Sequence, residues 1–595
     1  MDHAQSVTPQ PAHKSGYIPS IDGLRAIAVV AVILYHLNIT WIPGGFLGVD
    51  LFFCISGYVI TRQLLDSVAA KGGLDLREFY IARARRLIPA LFFMLIGTSI
   101  IIALWAPDSV HRFVGDLPYV LTGTENWHLV AIHQDYFSSI GRAPLLQHTW
   151  SLAVEAQFYL IWPLVILLVL KYFGKARVAV ASLIIAASSG IALFIFSLSL
   201  DSHGSAVIAD RIGHIYFGTD THSLGLFLGA TLAVSWVPAN LHTEISRRAQ
   251  DFIDGIGVIG LLGLLATFLF INESNSAQYQ LAFPLAAIFG CATIISLVHP
   301  ASRFAPLIGS KPLLWIGQRS YAIYLWHWVI FQVTRPTADL AGKTWAIDIA
   351  RVLLVIALAD ISLRFIEVPI RRGALANWIR GRRYRRKSVQ RRERALLTTT
   401  PLVLVGLVIA GSLIAEHRDH ANVINNLTSE QTVLAHSGSK SVSGLWVTGD
   451  SIILGSKTKL ASHYTLAEIN ARVGRQIGEL IQVVKQDKPG LEHDPVVLDL
   501  GNNNHLTSDD VTTLFNLLKD QPKMVVVNTA VPRTYRLDND RIIKEVIASY
   551  PNATLVDWNA ISDGHPEYFG PDGVHLSDQG STVYVDAIIS ALSGK

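Results

Sequence analysis

Only two cysteines occur in 595 residues, Cys54 and Cys291, and both fall inside long apolar runs. That scarcity leaves no disulfide framework to support any domain outside a membrane. Charge is equally sparse. Asp, Glu, Lys and Arg make up 16% of the chain against 51% hydrophobic residues, and mean hydropathy is +0.38. This excludes a soluble protein of several domains. A cleavable leader is also missing: the first 17 residues are polar, and the first apolar run is long enough to span and carries Arg25 and His36, so it reads as an uncleaved anchor. No internal repeat is found, and no metal site is expected.

What the chain has is apolar runs. A span needs about 20 apolar residues, and eleven stretches qualify: 18–38, 44–64, 86–106, 150–170, 178–198, 220–236, 253–271, 280–298, 313–333, 346–366 and 398–414. The expected fold is a multi-span α-helical membrane domain of about ten helices plus one, followed by an α/β domain. Lys and Arg distribution sets orientation. Lys14, Lys71, Arg77, Arg83, Arg85, Arg86, Lys171, Lys175, Arg177, Arg247, Arg248, Arg303 and Lys311 fall on one side, with the ten Arg and one Lys of 371–394. The opposite loops hold only Arg112, Arg142, Arg211, Arg335 and Lys343. This alternation predicts a multi-pass cell-membrane protein with a cytoplasmic N-terminus and an extracytoplasmic C-terminal domain. No fold for nucleic acid accompanies the basic run, which marks topology and meets anionic membrane lipid. The expected division is a tail at 1–17, a membrane domain at 18–372, a basic loop at 373–397, an additional helix at 398–414, a linker at 415–440 and the outer domain at 441–595.

An ionisable side chain inside a bilayer costs about 2.5–3.5 kcal/mol on insertion scales and is a functional-site hypothesis by default. Arg25 and His36 are eleven residues apart, which returns them to within about 20° of one helix face, about 16 Å apart along the axis. Two readings stay open: both line one cavity, or Arg25 reaches the cytoplasmic surface while His36 borders the other interface. Arg25, Arg85, Arg86 and Glu367 fall near cytoplasmic ends; His36, Asp50, His148, Glu155, Asp220, His222 and His327 fall in outer halves or at outer ends. A basic inner mouth suits a phosphate-bearing cofactor, and carboxylates with imidazoles further out suit proton transfer or acyl handling.

From about residue 441 the texture changes. Short apolar strands at 445–448, 496–500, 524–529 and 554–556 alternate with helical stretches, which predicts a parallel sheet covered by helices. Ser451 follows the first strand in Gly449-Asp450-Ser451 and is expected to open a helix, where backbone N–H groups stabilise an oxyanion. Asp572 and His575 lie in a Gly/Pro-rich loop before the last helix, spaced so that Asp572 orients the imidazole that deprotonates Ser451. Gly474 of Val473-Gly474-Arg475-Gln476 and an amide of Asn502, Asn503 or Asn504 are candidates to complete the oxyanion hole. A turn serine with loop Asp and His in an inactive domain is the plain alternative.

Several stretches resemble the acyltransferase-3 family of integral membrane acyltransferases: Ile21 to Arg25 running on to Tyr35-His36, Gly48 to Gly57, Arg83 to Pro89, Thr149 to Glu155, and Tyr324 to His327. The likeness covers about 15–372 and implies ten spans and acetyl-CoA as acetyl donor. Arg, ten residues and His is the family signature of the first helix, here Arg25 and His36. At Thr219 to Ser223 the family often has an Arg that this chain lacks. The outer domain resembles the SGNH hydrolases, with Ser451, Gly474, Asn503 and His575 matching the four blocks and Asp572 as the triad acid. More narrowly, the combination resembles the cell-wall peptidoglycan O-acetyltransferases, through Val473 to Gln476 and Gly564 to His575. The resemblance implies a glycan acceptor, peptidoglycan or another surface polysaccharide such as lipopolysaccharide O-antigen. The expected relay binds acetyl-CoA at Arg25, Arg85 and Arg86, moves the acetyl group outward with His36 assisted by Glu155, and passes it through Ser451, activated by His575 and Asp572, to a sugar hydroxyl. An extracytoplasmic acetyl esterase, and a transporter whose outer domain only binds glycan, are the rival readings.

Overall fold

A computed structural model describes residues 17–132, 142–198, 213–271, 276–335, 340, 344–381, 389, 406, 444–471, 475, 477–488, 491, 494–503, 506–531, 536–569 and 574–594. Its first part is helical. The long elements are α1 (Pro19–His36), α2 (Gly48–Lys71), α3 (Leu76–Trp105), α4 (Trp150–Tyr172), α5 (Ala176–Leu198), α6 (Leu224–Ser235), α7 (Arg247–Phe270), α8 (Ser276–Leu297), α9 (Lys311–Val333) and α10 (Trp345–Ile361). Seven helical segments among the described residues are long and apolar enough to cross a membrane, so the protein is a multi-pass membrane protein, although the expected eleven spans are not all matched. The run at 220–236 is only a 12-residue helix, because Gly218 and Ser223 break the chain before it. The run at 346–366 is a 17-residue α-helix that widens into a π-turn over Ser362–Glu367. The stretch at 398–414 lies, but for Gly406, outside the described residues.

Helix α2 is the most enclosed. Its crossing with α6 depends on glycine: a Cβ on Gly57 would lie 1.8 Å from the Leu226 carbonyl oxygen, and one on Gly229 would lie 2.1 Å from that of Cys54. Small residues let backbones approach where no hydrophobic effect drives association. Helix α1 packs against α2 and α9, which brings the Arg25 and His36 helix beside that of His327. Helices α3, α5 and α7 instead turn large apolar side chains outward, among them Leu104, Ile184 and Phe270.

The second part is a five-stranded parallel sheet. Its strands are β1 (Leu445–Gly449), β2 (Leu466–Ala471), β3 (Val496–Asp499), β4 (Met524–Val527) and β5 (Ala553–Val556), in the order β2-β1-β3-β4-β5. Alternate side chains feed two cores. Trp446, Val496, Leu498, Met524 and Val526 meet helices Ile477–Asp487, Ser508–Leu518 and Arg536–Ile547 on one face. Leu445, Val447, Val497, Val525 and Val527 meet Ile452, Ile453 and the last helix, Asp578–Ser593, on the other. Four strands fall where the apolar runs predict them; β2 is the unexpected one, an edge strand of sequence LAEINA paired only with β1.

Candidate active site and candidate donor cavity

In an open parallel sheet, ligands meet the carboxyl ends of the strands, and there the two neighbouring strands β1 and β3 deliver Ser451 and Asn503. The chain turns out of β1 at Asp450, whose carboxylate accepts from the Ile452 N–H at 2.9 Å and caps the following helix, Ser451–Gly455. That helix is five residues long, so the local N–H groups rather than a long helix dipole serve the serine. Gly449 is required for clearance: a Cβ there would sit 2.7 Å from Cβ of Asp499 on β3. Ser451 is buried, and its Oγ lies 3.0 Å from Nε2 of His575. A hydroxyl held against an imidazole at that distance is the arrangement of an activated nucleophile with its general base.

Asn503 is buried, and its Nδ2 donates to Oδ2 of Asp450, while Asn502 donates to Oδ1 of Asp499 at 2.8 Å. Asn503 is therefore tied to the nucleophile turn; Asn502 faces the next carboxylate. Arg475, next to Gly474 in the sequence, is buried and bonds Thr448 Oγ1 at 3.1 Å and Asn470 Oδ1 at 2.9 Å, on β1 and β2. Asp572, Gly474 and Asn504 lie outside the described residues. Asp450 and Asp499 were not anticipated. Both are 3% exposed. Burial raises the pKa of each carboxyl; for Asp499 the neighbouring Asp450 adds to it and lifts the group well above the usual carboxylate range. Tyr584, from the last helix, is likewise raised by burial and by Asp499.

The membrane domain holds a cavity of about 590 Å³ lined by Arg25, Arg62, Arg83, Arg86, Arg371 and Glu155, among others. Arg86 is there as expected. Arg85 is not among the lining residues, whereas Arg83 is, because positions three apart share a helix face and 85 is turned about 100° from 86. Nε of Arg83 and of Arg62 are buried with no hydrogen-bond partner among the described residues, an open capacity that suits an anionic, phosphate-bearing ligand. Glu155 is placed with these arginines and not with the histidines: it accepts from Tyr159 at 2.9 Å, and Tyr159 meets Ser56 at 2.8 Å. Five residues of helix carry it about 7.5 Å inward from Trp150.

His36 meets a different group. Its Nδ1 lies 3.1 Å from Nε2 of His327, whose Nδ1 lies 2.6 Å from the Tyr324 carbonyl oxygen. His148 packs its ring edge-on to His327. Tyr324 joins the two regions: it lines the cavity, its ring lies beside those of His148 and His327, and its hydroxyl donates to the His148 carbonyl at 2.9 Å and meets Ser151 at 2.7 Å. His222 and Asp50 form a separate buried pair at 3.0 Å, and Asp220 pairs with His214 at 3.0 Å. Among the described residues no cluster of His, Cys, Asp and Glu is arranged to hold a metal ion.

Residues 18–364 match the family model described as an acyltransferase domain. The chain is 31% identical over 621 residues to the peptidoglycan O-acetyltransferase OatA of Listeria monocytogenes, covering 97% of this chain and 98% of the relative. It is 33% identical over 598 residues to the O-acetyltransferase OatA of Staphylococcus aureus, covering 97% and 96%. Among solved structures, the C-terminal catalytic domain of Streptococcus pneumoniae peptidoglycan O-acetyltransferase A, with a methylsulfonyl adduct, is similar at 26% identity and a TM-score of 0.23, over 26% of this chain and 94% of that one.

Proposed function

Since this chain belongs to the acyltransferase family of membrane enzymes, we propose that it takes an acetyl group from acetyl-CoA at the arginine-lined cavity and delivers it through Ser451 to a hydroxyl of an extracytoplasmic glycan, peptidoglycan. It is an O-acetyltransferase; the donor, the direction and the acceptor are the proposal. The name of the Listeria relative supports the acceptor. The Lys and Arg alternation supports an outer C-terminal domain.

The observation that carries the reading is the 3.0 Å contact between Ser451 Oγ and His575 Nε2 on the same chain as an acyltransferase domain. The Ser451 oxygen attacks the acetyl carbonyl, its proton passes to His575, and the bond from the acetyl carbon to its carrier breaks as His575 hands that proton to the departing carrier. A sugar hydroxyl then attacks the Ser451 ester, gives its proton to His575, and the serine oxygen leaves and is reprotonated. Asn503 and the Ser451 backbone N–H serve the developing oxyanion; the roles of Gly474 as a third donor and of Asp572 as the acid that orients the imidazole rest on the sequence motifs alone. On the donor side, Arg25, Arg83 and Arg86 bind phosphate and pyrophosphate groups, and His36 assists the outward transfer, with Glu155 acting earlier, inside the cavity.

Membrane vesicles with radiolabelled acetyl-CoA on the face bearing the N-terminus test this. Glycan labelling on the other face that needs both His36 and Ser451 is the expected result. Undiminished labelling in the His36→Ala protein would overturn the relay, and Ser451-dependent release of free acetate with no glycan label would favour an esterase.

A further inference from the structure

Beneath the nucleophile lies a group of buried polar side chains that the transfer chemistry leaves unused. We infer that Asp450 and Asp499 share one proton, and that this proton is a positioning element of the site, holding Asn503 and the Ser451 turn in place. The inference rests on Ser451 being the acyl acceptor.

The geometry is specific. Asp450 and Asp499 come from the ends of β1 and β3, brought together by the bare Cα of Gly449, and their carboxyl groups lie within hydrogen-bonding contact. Each spends oxygens on a site amide: Asp450 on the Ile452 N–H and the Asn503 amide, Asp499 on the Asn502 amide. The Tyr584 hydroxyl faces Asp499, and Oδ2 of Asp499 receives no backbone or amide N–H from the described residues. Asp450 and Asp499 are both 97% covered.

Two adjacent buried carboxylates without a cation between them cannot both be ionised cheaply. The groups facing the pair are acidic or neutral: Tyr584 from the last helix lies beside Asp499, and Asn502 and Asn503 come from the loop after β3. The exception is His575, whose imidazole interacts with Asp450. A single proton between the oxygens satisfies both groups. It leaves Asp450 with the acceptor oxygen that one Asn503 N–H needs, so the second N–H of that amide remains for the acetyl oxyanion. Removing the proton sets two like charges against each other and loosens both amide contacts.

The test uses the full-length protein in detergent, with 4-nitrophenyl acetate turnover followed from neutral to alkaline pH after subtraction of the rate of the Ser451→Ala protein. The wild-type kcat should fall on the alkaline side, while Asp499→Asn, whose amide carries a permanent N–H in place of the shared proton, loses that alkaline limb and exceeds wild type by about tenfold at the alkaline end. Asp499→Ala, which cannot bridge, should lose at least about tenfold in kcat at neutral pH with KM nearly constant. Superimposable alkaline profiles for wild type and Asp499→Asn, or a wild-type kcat in Asp499→Ala, overturn the inference. Turnover equal in wild type and Ser451→Ala instead removes the reading of Ser451 itself.

Discussion

His36 on α1 and His327 on α9 face one another, ring nitrogen to ring nitrogen at 3.1 Å, although 291 residues separate them in the chain. Two imidazoles so placed pass a proton or share one, which neither does alone. Replacing either by Ala is expected to lower glycan labelling by about 10²–10⁴, the usual contribution of a general acid or base. Ser451-dependent turnover of a soluble acetyl ester should stay within about twofold. Equal loss of both activities would mean that the substitution unfolds the protein.

The contact between Ser451 and His575 predicts a steeper effect. Ser451→Ala or His575→Ala should each remove ester turnover by roughly 10³-fold or more, and the double variant should be little worse than either, because residues that act as one unit are non-additive. Multiplicative losses would show that the two side chains act independently.

In the cavity, Arg83→Ala and Arg86→Ala are each expected to raise the apparent KM for acetyl-CoA about tenfold, since a charge-assisted bond is worth about 1.5–3 kcal/mol. Arg85→Ala, one step round the helix, should change it less than about twofold. Donor-concentration series on reconstituted protein read this directly, and an Arg85 effect as large as that of Arg86 would count against the assignment.

Asp540 gives a stability prediction whose sign can be worked out. Burial raises its carboxyl from an ordinary 3.8 to about 6, so the folded state holds the proton more tightly than the unfolded state does. Its contribution therefore declines as pH rises from about 4 to about 6 and stays lost above that. Asp540→Asn keeps an oxygen for the Thr529 N–H, which Asp540 accepts at 3.2 Å. The variant should be more stable than wild type at pH 7, by about 1 kcal/mol after allowance for solvent screening, and no more stable near pH 3.5. Thermal unfolding at the two pH values decides, and a gain that persists in acid would refute the titration.

Gly449→Ala should destabilise the outer domain by about 1–3 kcal/mol, the usual cost of forcing extra atoms into a packed site, because the new methyl meets Asp499 at 2.7 Å. Loss of kcat ahead of loss of the folded state, seen by comparing turnover with near-ultraviolet circular dichroism, is the expected order.

Much of this was legible in the chain. Strict patterns carried it: runs of Val and Leu gave β1, β3, β4 and β5 nearly to the residue, and the order of Ser451, Asn503 and His575 after those elements placed them at the carboxyl end of the sheet. Strand β2 was not legible, because an edge strand needs no continuous apolar face, and Glu468 and Asn470 break its pattern. The pairing of Asp450 with Asp499 was hidden for another reason: 49 residues separate them, and only the adjacency of β1 and β3 joins them. Arg83 and Arg85 could not be told apart without the rotation of α3. Glu155 was expected beside His36, but its depth along α4 is fixed by where that helix begins, which composition does not mark.

The crossing of α2 and α6 sets a mechanical limit on all of this. With backbone lying on backbone at Gly57 and Gly229, there is no side-chain cushion to compress and no rotamer to exchange, so that pair acts as a keel. Any rearrangement around the cavity therefore falls to neighbours that can tilt in lipid, and a bulky residue at either glycine would disturb the helix packing before it touched the chemistry.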